Sequence, residues 1–378
     1  MDAPSRGRYL LAVSSGPPSE LTGPVGVVGA GLIGASVGLA LKAAGVAVLL
    51  RDADPEQKRL AIALEAGQPW EPGVPVQHAV LAVPPHAVGL ALRSLQDEDA
   101  AQTFSDVASV KQLPVADAVT LGCDLSTWCP AHPVAGRERG GVTAARADLF
   151  VDRPWVLSPT PRTGPDALAL ARLVATTCRA SPVVVPPTRH DEAMARLSHV
   201  PQLVASLLAA AAGGLPSDDL ALAGSGFRDT TRLADSAPGL WVSILDGNRE
   251  PVAAALSELA GELASAAATL RSGTADDVAA AVHELMSRGT GVRRRLPAKP
   301  GQPAPDWVWV GVVVPDRPGE LATLFAAVAV WSVNIEDVRV EHSREQPRGI
   351  LELAVRPQQA DALVVRLGAK GWTAYRRS

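Results

Sequence analysis

His132 comes first among the residues of this chain that could move a proton. It lies in residues 131–138 (AHPVAGRE), after a predicted strand. A neutral imidazole at a sheet edge can accept the proton of a substrate hydroxyl while a hydride leaves the carbon that bears this hydroxyl. Ser109 follows the preceding predicted strand and could hydrogen-bond this imidazole and fix its tautomer. The alternatives are a turn histidine bonded to the backbone and, for Ser109, the N-cap of a helix over residues 110–117.

A second candidate group lies in residues 224–232 (GSGFRDTTR), where two arginines are four residues apart. On a helix this spacing places Arg228 and Arg232 on one face, with Asp229 one step round. Two guanidinium groups suit a dicarboxylate, because each planar fork meets a carboxylate with two parallel hydrogen bonds. The alternative is a surface arginine paired with Asp229 or Asp235, and the spacing by itself favours this alternative.

The other histidines and the cysteines predict no metal site. His190 and His199 are nine residues apart, which is about 13 Å along a helix, so they cannot share an ion. His199 lies in an apolar helix and is interpreted as a core histidine. The three cysteines have no metal-ligand spacing and fit reduced thiols in a cytoplasmic protein.

The element that would position these groups begins with residues 25–36 (VGVVGAGLIGAS). An apolar run, three spaced glycines and a second apolar run predict a strand, a tight turn and a helix. In such a turn the glycines permit the bend, the approach of a pyrophosphate and close helix–strand packing, and the helix N-terminus attracts the phosphates. A glycine-rich turn of another α/β protein is the alternative.

Asp52 follows the next apolar run, where a carboxylate can accept hydrogen bonds from both ribose hydroxyls of a dinucleotide. An acid here favours NAD over NADP, although the neighbouring Arg51 weakens the exclusion of NADP. We therefore expect NAD as the cofactor. The predicted contacts are Gly29, Gly31, Leu32, Ile33, Gly34 and Asp52.

Beyond Asp52, helix and strand patterns alternate, which predicts an α/β fold with a Rossmann-type parallel sheet over residues 22–188. Residues 189–289 show only helical periodicity and contain a first helix that is apolar on nearly all sides. Such a helix is buried in a bundle or between subunits, so we expect an all-helical substrate and dimerisation domain and a homodimer.

The two ends of the chain and one internal segment complete the predicted organisation. Residues 1–21 are expected to be a flexible leader and residues 290–306, rich in proline and arginine, a linker. Residues 307–378 show the order β-α-β-β-α-β, which predicts a ferredoxin-like unit.

The composition is that of a globular protein, with 378 residues, 47% of them hydrophobic, and a formal net charge of −4. This charge gives no general attraction to nucleic acid or to an acidic membrane surface, so local arginines must hold any anionic substrate. The longest apolar stretch, residues 203–215, is too short to span a bilayer.

Several of these motifs resemble the prephenate and arogenate dehydrogenases of tyrosine biosynthesis, over nearly all of the chain after Leu21. They follow the family's order: GAGLIGAS at 29–36, DVASVK at 106–111, HPVAG at 132–136, SHVP at 198–201, and GFRDTTR at 226–232 followed by SAP at 236–238. Residues 316–321 (DRPGEL) resemble an ACT domain, a regulatory module that binds small molecules.

The resemblance implies NAD-dependent oxidative decarboxylation of prephenate to 4-hydroxyphenylpyruvate, with arogenate as the alternative substrate, giving tyrosine directly. It implies that His132 accepts the hydroxyl proton, that Ser109 is its partner and that Arg232 holds a substrate carboxylate. Further residues would lie at the substrate, in part from the partner subunit: Asp229, Trp241, His199 and Gln202. An aromatic amino acid, with tyrosine as the first candidate, would bind the ACT-like domain.

Two positions depart from the family pattern. Gln202 stands where many relatives have a second histidine, and Arg137 stands where many have a small hydroxyl residue. Both positions are near the substrate side chain in the family, so the choice between prephenate and arogenate stays open.

Two rival functions remain to be weighed. A β-hydroxyacid-type dehydrogenase uses a lysine of the helical domain, but residues 190–288 contain no lysine. A non-catalytic sensor of NAD and amino acids is disfavoured because Ser109, His132 and Arg232 are present together.

Overall fold

The computed structural model describes residues 20–136, 140–296, 307–341 and 347–377. The predicted leader up to residue 19, Arg137 and linker residues 297–306 lie outside the described residues. Among the described residues the chain forms a larger unit that ends at Gly289 and a smaller one that begins at Thr290.

The larger unit begins with a six-stranded parallel sheet in the order β3-β2-β1-β4-β5-β6. Strands β1 to β6 are Val25–Val28, Val48–Arg51, Gln68–Pro69, Val76–Leu81, Ala101–Asp106 and Trp128–Cys129. Helices α1 to α4 are Leu32–Ala43, Pro55–Ala63, Val88–Asp97 and Gln112–Thr120. The strand order reverses between β1 and β4, so a ligand crevice opens there at the carboxyl ends of the strands. The predicted Rossmann-type sheet is confirmed.

Apolar cores cover both faces of this sheet, as a parallel sheet requires. All six residues of β4 are buried, including His78. The ring nitrogens of His78 each lie 2.8 Å from a hydroxyl of β5, Thr103 Oγ1 and Ser105 Oγ. Burial lowers the pKa of His78 to about 3, so a neutral, fully hydrogen-bonded imidazole stands in the sheet.

A second sheet of three strands, in the order β7-β8-β9, lies beside the first. Its strands are Ala131–Pro133, Pro154–Leu157 and Ser181–Val184, and helix α5 is Pro165–Thr177. β7 is antiparallel to β8, and His132 pairs with Val156. His132 therefore lies within a short strand, whereas the sequence placed it after one.

Only helices follow as far as residue 296, and every residue from 187 to 296 is described. Helices α6 to α12 are Pro187–Met194, Val200–Ala211, Ser217–Leu220, Ser225–Thr231, Pro238–Asp246, Arg249–Ser272 and Ala275–Arg295. A π-helical turn, Ala195–His199, joins α6 to α7, and a 3-10 turn, Arg232–Asp235, follows α9. The prediction of a linker from residue 290 was wrong for its first six residues, because α12 continues to Arg295.

The smaller unit has a four-stranded antiparallel sheet in the order β11-β12-β10-β13. Its elements in chain order, β10, α13, β11, β12, α14 and β13, are Val308–Pro315, Glu320–Val330, Asp337–Glu341, Arg348–Val355, Pro357–Ala369 and Thr373–Arg376. This is the predicted ferredoxin-like order. Gly319, the N-cap of α13, has a φ of 90°, which favours glycine.

Candidate active site

The turn between β1 and α1 is shaped by the absence of side chains. Gly29 has a φ of 100°, and a Cβ there would overlap the carbonyl oxygen of Ala82, the residue that follows β4. A Cβ on Gly34 would overlap the carbonyl oxygen of Gly29. A Cβ on Gly31 would meet nothing within 4 Å. The first and third glycines thus allow close packing, and the second faces open space that a phosphate group can enter.

Helix α1 begins at Leu32 with Gly31 as its N-cap, and no described side chain caps it. The first N–H groups of the helix, including those of Leu32 and Ile33, therefore remain for an anion, and the helix dipole favours negative charge there. A pyrophosphate fits this position.

Asp52 lies directly after β2, beside the glycine turn. Its Oδ2 accepts a hydrogen bond from Ala30 N at 2.5 Å, and its Oδ1 accepts one from Asp54 N at 2.7 Å. These bonds hold the carboxylate where the adenosine ribose of a dinucleotide bound on the turn would lie. The open glycine turn, the uncapped helix and the fixed carboxylate together fit NAD.

The second part of the site is a line of three side chains that begins at His132. Its Nδ1 is 2.9 Å from Nε2 of His190, in α6. Nδ1 of His190 is in turn 2.7 Å from Oδ1 of Asp191. His190 and Asp191 are buried, while His132 is partly accessible.

The direction of the hydrogen bonds in this line follows from the carboxylate at its end. Oδ1 and Oδ2 of Asp191 also accept the backbone N–H groups of Lys111 and Gln112, each at 2.8 Å, so donors surround this side chain. A carboxylate only accepts, so Nδ1 of His190 carries a proton, and with this ring in its neutral form Nε2 is the acceptor. His132 must then donate from Nδ1. Its Nε2 keeps a lone pair and has no hydrogen-bond partner among the described residues.

Lys111 contacts both ends of this line, the residue before His132 and the carboxylate of Asp191. Its fully buried ammonium group pairs with Asp106 and donates to the carbonyl oxygen of Ala131 at 2.5 Å. Oδ2 of Asp106 accepts Ala131 N at 3.2 Å. The ion pair therefore holds both backbone groups of the residue before His132, while the backbone N–H of Lys111 holds Asp191.

The surroundings keep His132 neutral. Burial lowers its pKa well below the ordinary value for histidine, and the nearby His190, Lys111 and His199 lower it further. A neutral imidazole with a free Nε2 lone pair is the form that accepts a proton.

His199 joins the same cluster from the helical side. Asn248 Nδ2 is 3.1 Å from Nδ1 of His199 and donates at 2.8 Å to the backbone oxygen of Asp191. The ring of Trp241 meets His199 edge to face, with the ring centroids 6.1 Å apart. Burial lowers the pKa of His199 to about 4. The structure thus brings two predicted substrate residues, His199 and Trp241, together with the His190–Asp191 pair.

Gln202 is buried one turn beyond His199, and its amide is already engaged within the protein. Nε2 donates to the carbonyl oxygen of Leu233 at 2.7 Å, and Oε1 accepts from Ser236 Oγ at 3.2 Å. These bonds fix the turn that begins at Arg232 against α7. Gln202 therefore supports the position of Arg232.

The two arginines of the 224–232 segment were expected on one helix, but only Arg228 lies in α9. α9 ends at Thr231, and Arg232 begins the 3-10 turn. Arg228 is exposed and donates from Nε to the carbonyl oxygen of Ala223 at 3.2 Å. Asp229 is exposed on α9.

Neither sequence-based expectation for the contacts of Ser109 was right. In the described chain no hydrogen bond joins Ser109 to His132, and Nδ1 of His132 bonds to His190 instead. α4 begins at Gln112 with Lys111 as its N-cap, so Ser109 is not the cap. A catalytic role for Ser109 stays a prediction.

Sequence patterns did not predict four residues of this site: His190, Asp191, Lys111 and Asn248. The sequence offered one signal for the first two, a histidine beside an acid at the start of the helical region. The spacing of His190 from His199 bears only on a shared metal ion, and no local pattern links His190 to His132. The contact between the two rings joins residues 58 positions apart.

Metal-binding clusters and membrane-spanning helices are absent from the ranges that the structure describes. Those ranges contain no group of histidine, cysteine and acidic side chains that could hold a metal ion. None of their helices is long and apolar enough to cross a membrane. The three cysteines are free and buried.

Comparison with known proteins identifies two family models in the chain. The nucleotide-binding domain of prephenate dehydrogenase matches residues 37–184, and the dimerization domain of prephenate dehydrogenase matches residues 186–286. A probable prephenate dehydrogenase of Streptomyces niveus is 37% identical over 357 residues, which are 92% of this chain and 98% of that protein.

Two solved structures are similar in fold. Prephenate dehydrogenase of Aquifex aeolicus, in complex with hydroxyphenyl propionate and NAD+, has a TM-score of 0.64 at 23% identity and covers 73% of this chain and 100% of its own. Arogenate dehydrogenase of Synechocystis has a TM-score of 0.60 at 27% identity and covers 71% and 98%.

Proposed function

Because this chain belongs to the prephenate dehydrogenase family, we propose that it converts prephenate to 4-hydroxyphenylpyruvate and carbon dioxide with NAD as the oxidant. The observation that carries the proposal is the line from Asp191 through His190 to His132, because it leaves a neutral proton acceptor at Nε2 of His132. The glycine turn and Asp52 supply the cofactor site.

The residues of the chain have separate tasks in this reaction. NAD, when bound, supplies the hydride acceptor. Nε2 of His132 accepts the proton of the ring hydroxyl as the hydride leaves the carbinol carbon. The bond to the ring carboxylate breaks, carbon dioxide leaves, and the electron pair enters the ring, which becomes aromatic. The proton on His132 then returns to the phenolate oxygen, so the imidazole ends as it began.

His190 and Asp191 act as positioning residues in this proposal. They fix the tautomer and orientation of His132 before substrate arrives, so no reorganisation is needed during proton transfer. Ser109, which follows β5 at the same edge of the sheet, is proposed to bind the substrate hydroxyl.

The helical side supplies the binding of the anionic substrate. We propose that Arg232 binds a substrate carboxylate. The support is the hydrogen bond by which Gln202 fixes the turn that begins at Arg232. Trp241 and His199 would lie against the ring and side chain, and Asp229 at the rim. A guanidinium–carboxylate pair in a desolvated pocket combines charge with geometry, which suits a substrate with two carboxylates.

Arogenate is the second candidate substrate, and it differs by an ammonium group on the side chain. The likeness to the arogenate dehydrogenase of Synechocystis and the neutral Gln202 favour its inclusion in any assay. Purified protein should be mixed with each substrate and with NAD or NADP, and reduced nicotinamide followed by absorbance. Reduction of NAD with prephenate is expected. No reduction with either substrate would contradict the proposal.

We also propose that the protein is a homodimer formed through its helical region. Large apolar side chains on several of these helices are exposed in the single chain: Leu197, Leu207, Leu208, Leu240, Val242 and Leu263. Monomeric proteins rarely leave such surface uncovered, and the matching family model is a dimerization domain.

The smaller unit is proposed to regulate the enzyme by binding an aromatic amino acid, and tyrosine is the first candidate. The support is its ferredoxin-like order and the left-handed Gly319 at the start of α13, where a ligand could approach the backbone. The alternative is a unit that only stabilises the dimer. A chain ending after Leu296, one residue beyond α12, should keep its activity and lose its response to tyrosine. An identical response would place the tyrosine site in the larger unit.

A further inference from the structure

Arg51 is a cation that the proposed cofactor choice leaves unexplained, because it directly precedes Asp52. An arginine near this place in a dinucleotide-binding unit can accommodate the 2′-phosphate of NADP. Arg51 and Asp52 line a cavity of about 540 Å³ at the carboxyl ends of β2 and β3, beside the glycine turn. The complete lining is Arg51, Asp52, Lys58, Trp70, Glu71, Pro72, Gly73 and Glu98.

Each of the three nitrogens of the Arg51 guanidinium group donates a hydrogen bond within the wall of this cavity. Nη1 donates to Oε2 of Glu98 at 2.7 Å, and Nε donates to the carbonyl oxygen of Trp70 at 3.3 Å. Nη2 donates to the carbonyl oxygen of Glu71 at 3.4 Å. The guanidinium carbon also lies 4.3 Å from the centroid of the Trp70 ring.

Among these partners Glu98 alone brings an opposite charge to Arg51. The carbonyl groups and the indole ring position the guanidinium but leave its charge in place. Glu98 comes from the end of α3, 47 residues along the chain, so only the fold brings it to Arg51. With Glu98 in place, the cavity lining carries three carboxylates and two cations, a balance that disfavours an added phosphate.

We propose that Glu98 is a specificity-determining residue for NAD. It engages and neutralises Arg51, so the guanidinium does not bind the 2′-phosphate of NADP. Asp52 acts differently, because its carboxylate is tied to Ala30 and Asp54 and faces the ribose itself. This inference rests on the proposed NAD-dependent function, since it concerns the choice of cofactor.

The test is a calorimetric titration of the full-length protein with two probes, 2′,5′-ADP, which carries the 2′-phosphate, and 5′-AMP, which lacks it. In Glu98→Gln we expect 2′,5′-ADP to bind roughly 1.5- to 5-fold more tightly, the range for a partly exposed charge pair, and 5′-AMP to bind as before. Adding Arg51→Ala to this variant should remove the gain. Arg51→Ala in the wild-type background should change little, since Glu98 already occupies that arginine.

Glu56→Gln is the matched control. Glu56 also pairs with an arginine, Arg59 at 2.7 Å, on the neighbouring α2, and it does not line the cavity. A gain in Glu98→Gln that the control lacks and that needs Arg51 supports the inference. An equal gain in the control, a gain that persists without Arg51, or no gain would overturn it.

The same proteins separate this inference from the proposed reaction. If the wild type binds 5′-AMP and NAD but does not oxidise prephenate or arogenate, the proposed function fails while an Arg51-dependent gain in Glu98→Gln still supports the role of Glu98. If the wild type oxidises prephenate with NAD and the gain is absent, the proposed function stands and the role of Glu98 is overturned.

Discussion

The nucleotide half of the larger unit (residues 20–184) and its helical half (residues 187–289) differ in how they bury apolar surface. The nucleotide half covers both sides of its sheet, and three of its tryptophans, Trp70, Trp128 and Trp155, are almost fully buried. In the helical half the buried apolar cluster has only four members: Ala195, Val200, Val252 and Ala255. The nucleotide half buries its apolar surface within one chain, whereas the helical half leaves large apolar side chains exposed.

The two halves also differ in their proposed roles, which are cofactor binding for the nucleotide half and substrate binding for the helical half. The groups that fit NAD come entirely from the nucleotide half, so cofactor binding needs a single chain. The proposed acid–base line crosses between the halves at His132 and His190, and the proposed substrate clamp belongs to the helical half. Changes in the helical half should therefore affect substrate more than cofactor.

The largest effect is expected at the point where the halves meet. His132→Asn removes the proton acceptor, and the loss of a positioned base lowers turnover by about 10²- to 10⁴-fold. NAD binding, measured by calorimetry, should stay near normal because the glycine turn is untouched. His86→Asn, which alters an exposed histidine, is the control and should keep full turnover. Unchanged turnover in His132→Asn would remove this residue from the mechanism.

The next effect tests the helical half directly. Arg232→Ala should raise the KM for prephenate strongly, because the loss of a desolvated carboxylate pair costs on the order of 2–5 kcal/mol. The KM for NAD should not change. Arg228→Ala is the control, since it removes the exposed arginine of the same segment. An equal rise of both KM values in Arg232→Ala would mean that the halves do not act separately.

A smaller effect is expected for His190→Asn, which removes the partner of His132. Turnover should fall about 10- to 100-fold, because the proton acceptor loses its fixed tautomer while remaining in place. His190 also helps to lower the pKa of His132, so that pKa should rise in the variant. The acid limb of kcat/KM should therefore move to higher pH. A loss of turnover without this shift would assign His190 a purely structural role.

The exposed apolar surface gives a test of assembly. Leu207→Glu, on α7, should convert a dimer into monomers, because each buried leucine contributes about 1.5–3 kcal/mol and the change occurs twice. Analytical ultracentrifugation would measure the oligomeric state of the variant. Leu90→Glu on α3 is closely matched, since the two side chains are 62% and 64% exposed, and it should leave the assembly intact. Dissociation by both variants would contradict an interface confined to the helical half.

The smallest effect concerns the stability of the nucleotide half in acid. The folded-state pKa of His78, about 3, lies below the ordinary value of 6.5, so the unfolded chain binds the extra proton between these values. The free energy of unfolding should therefore fall as the pH drops from about 6.5 towards 3. His78→Gln should flatten this dependence in urea titrations at several pH values, and His283→Gln, at an exposed position, should not. The same slope in all three proteins would refute the assignment.

Local features of the sequence predicted much of the fold. The glycine spacing at residues 29–34 and the acid at Asp52 follow from short-range steric and charge requirements, and the structure has the predicted turn there. Element boundaries shifted by a few residues. The predicted end of α12 was too early, because three consecutive arginines, Arg293, Arg294 and Arg295, suggest a solvated linker, although arginine is a good helix former.

The sequence by itself predicted the parallel sheet, the helical region, the ferredoxin-like unit and the glycine turn, and it offered His132 as a candidate proton acceptor. Periodicity and glycine placement act over a few residues, so a local pattern is enough to predict such elements. Only the tertiary structure decided which groups His132 and Arg51 contact. His190 lies 58 residues from His132, and Glu98 lies 47 residues from Arg51. Hydrogen bonds and ion pairs depend on distances of about 3 Å, and the packing of strands and helices sets those distances across such separations.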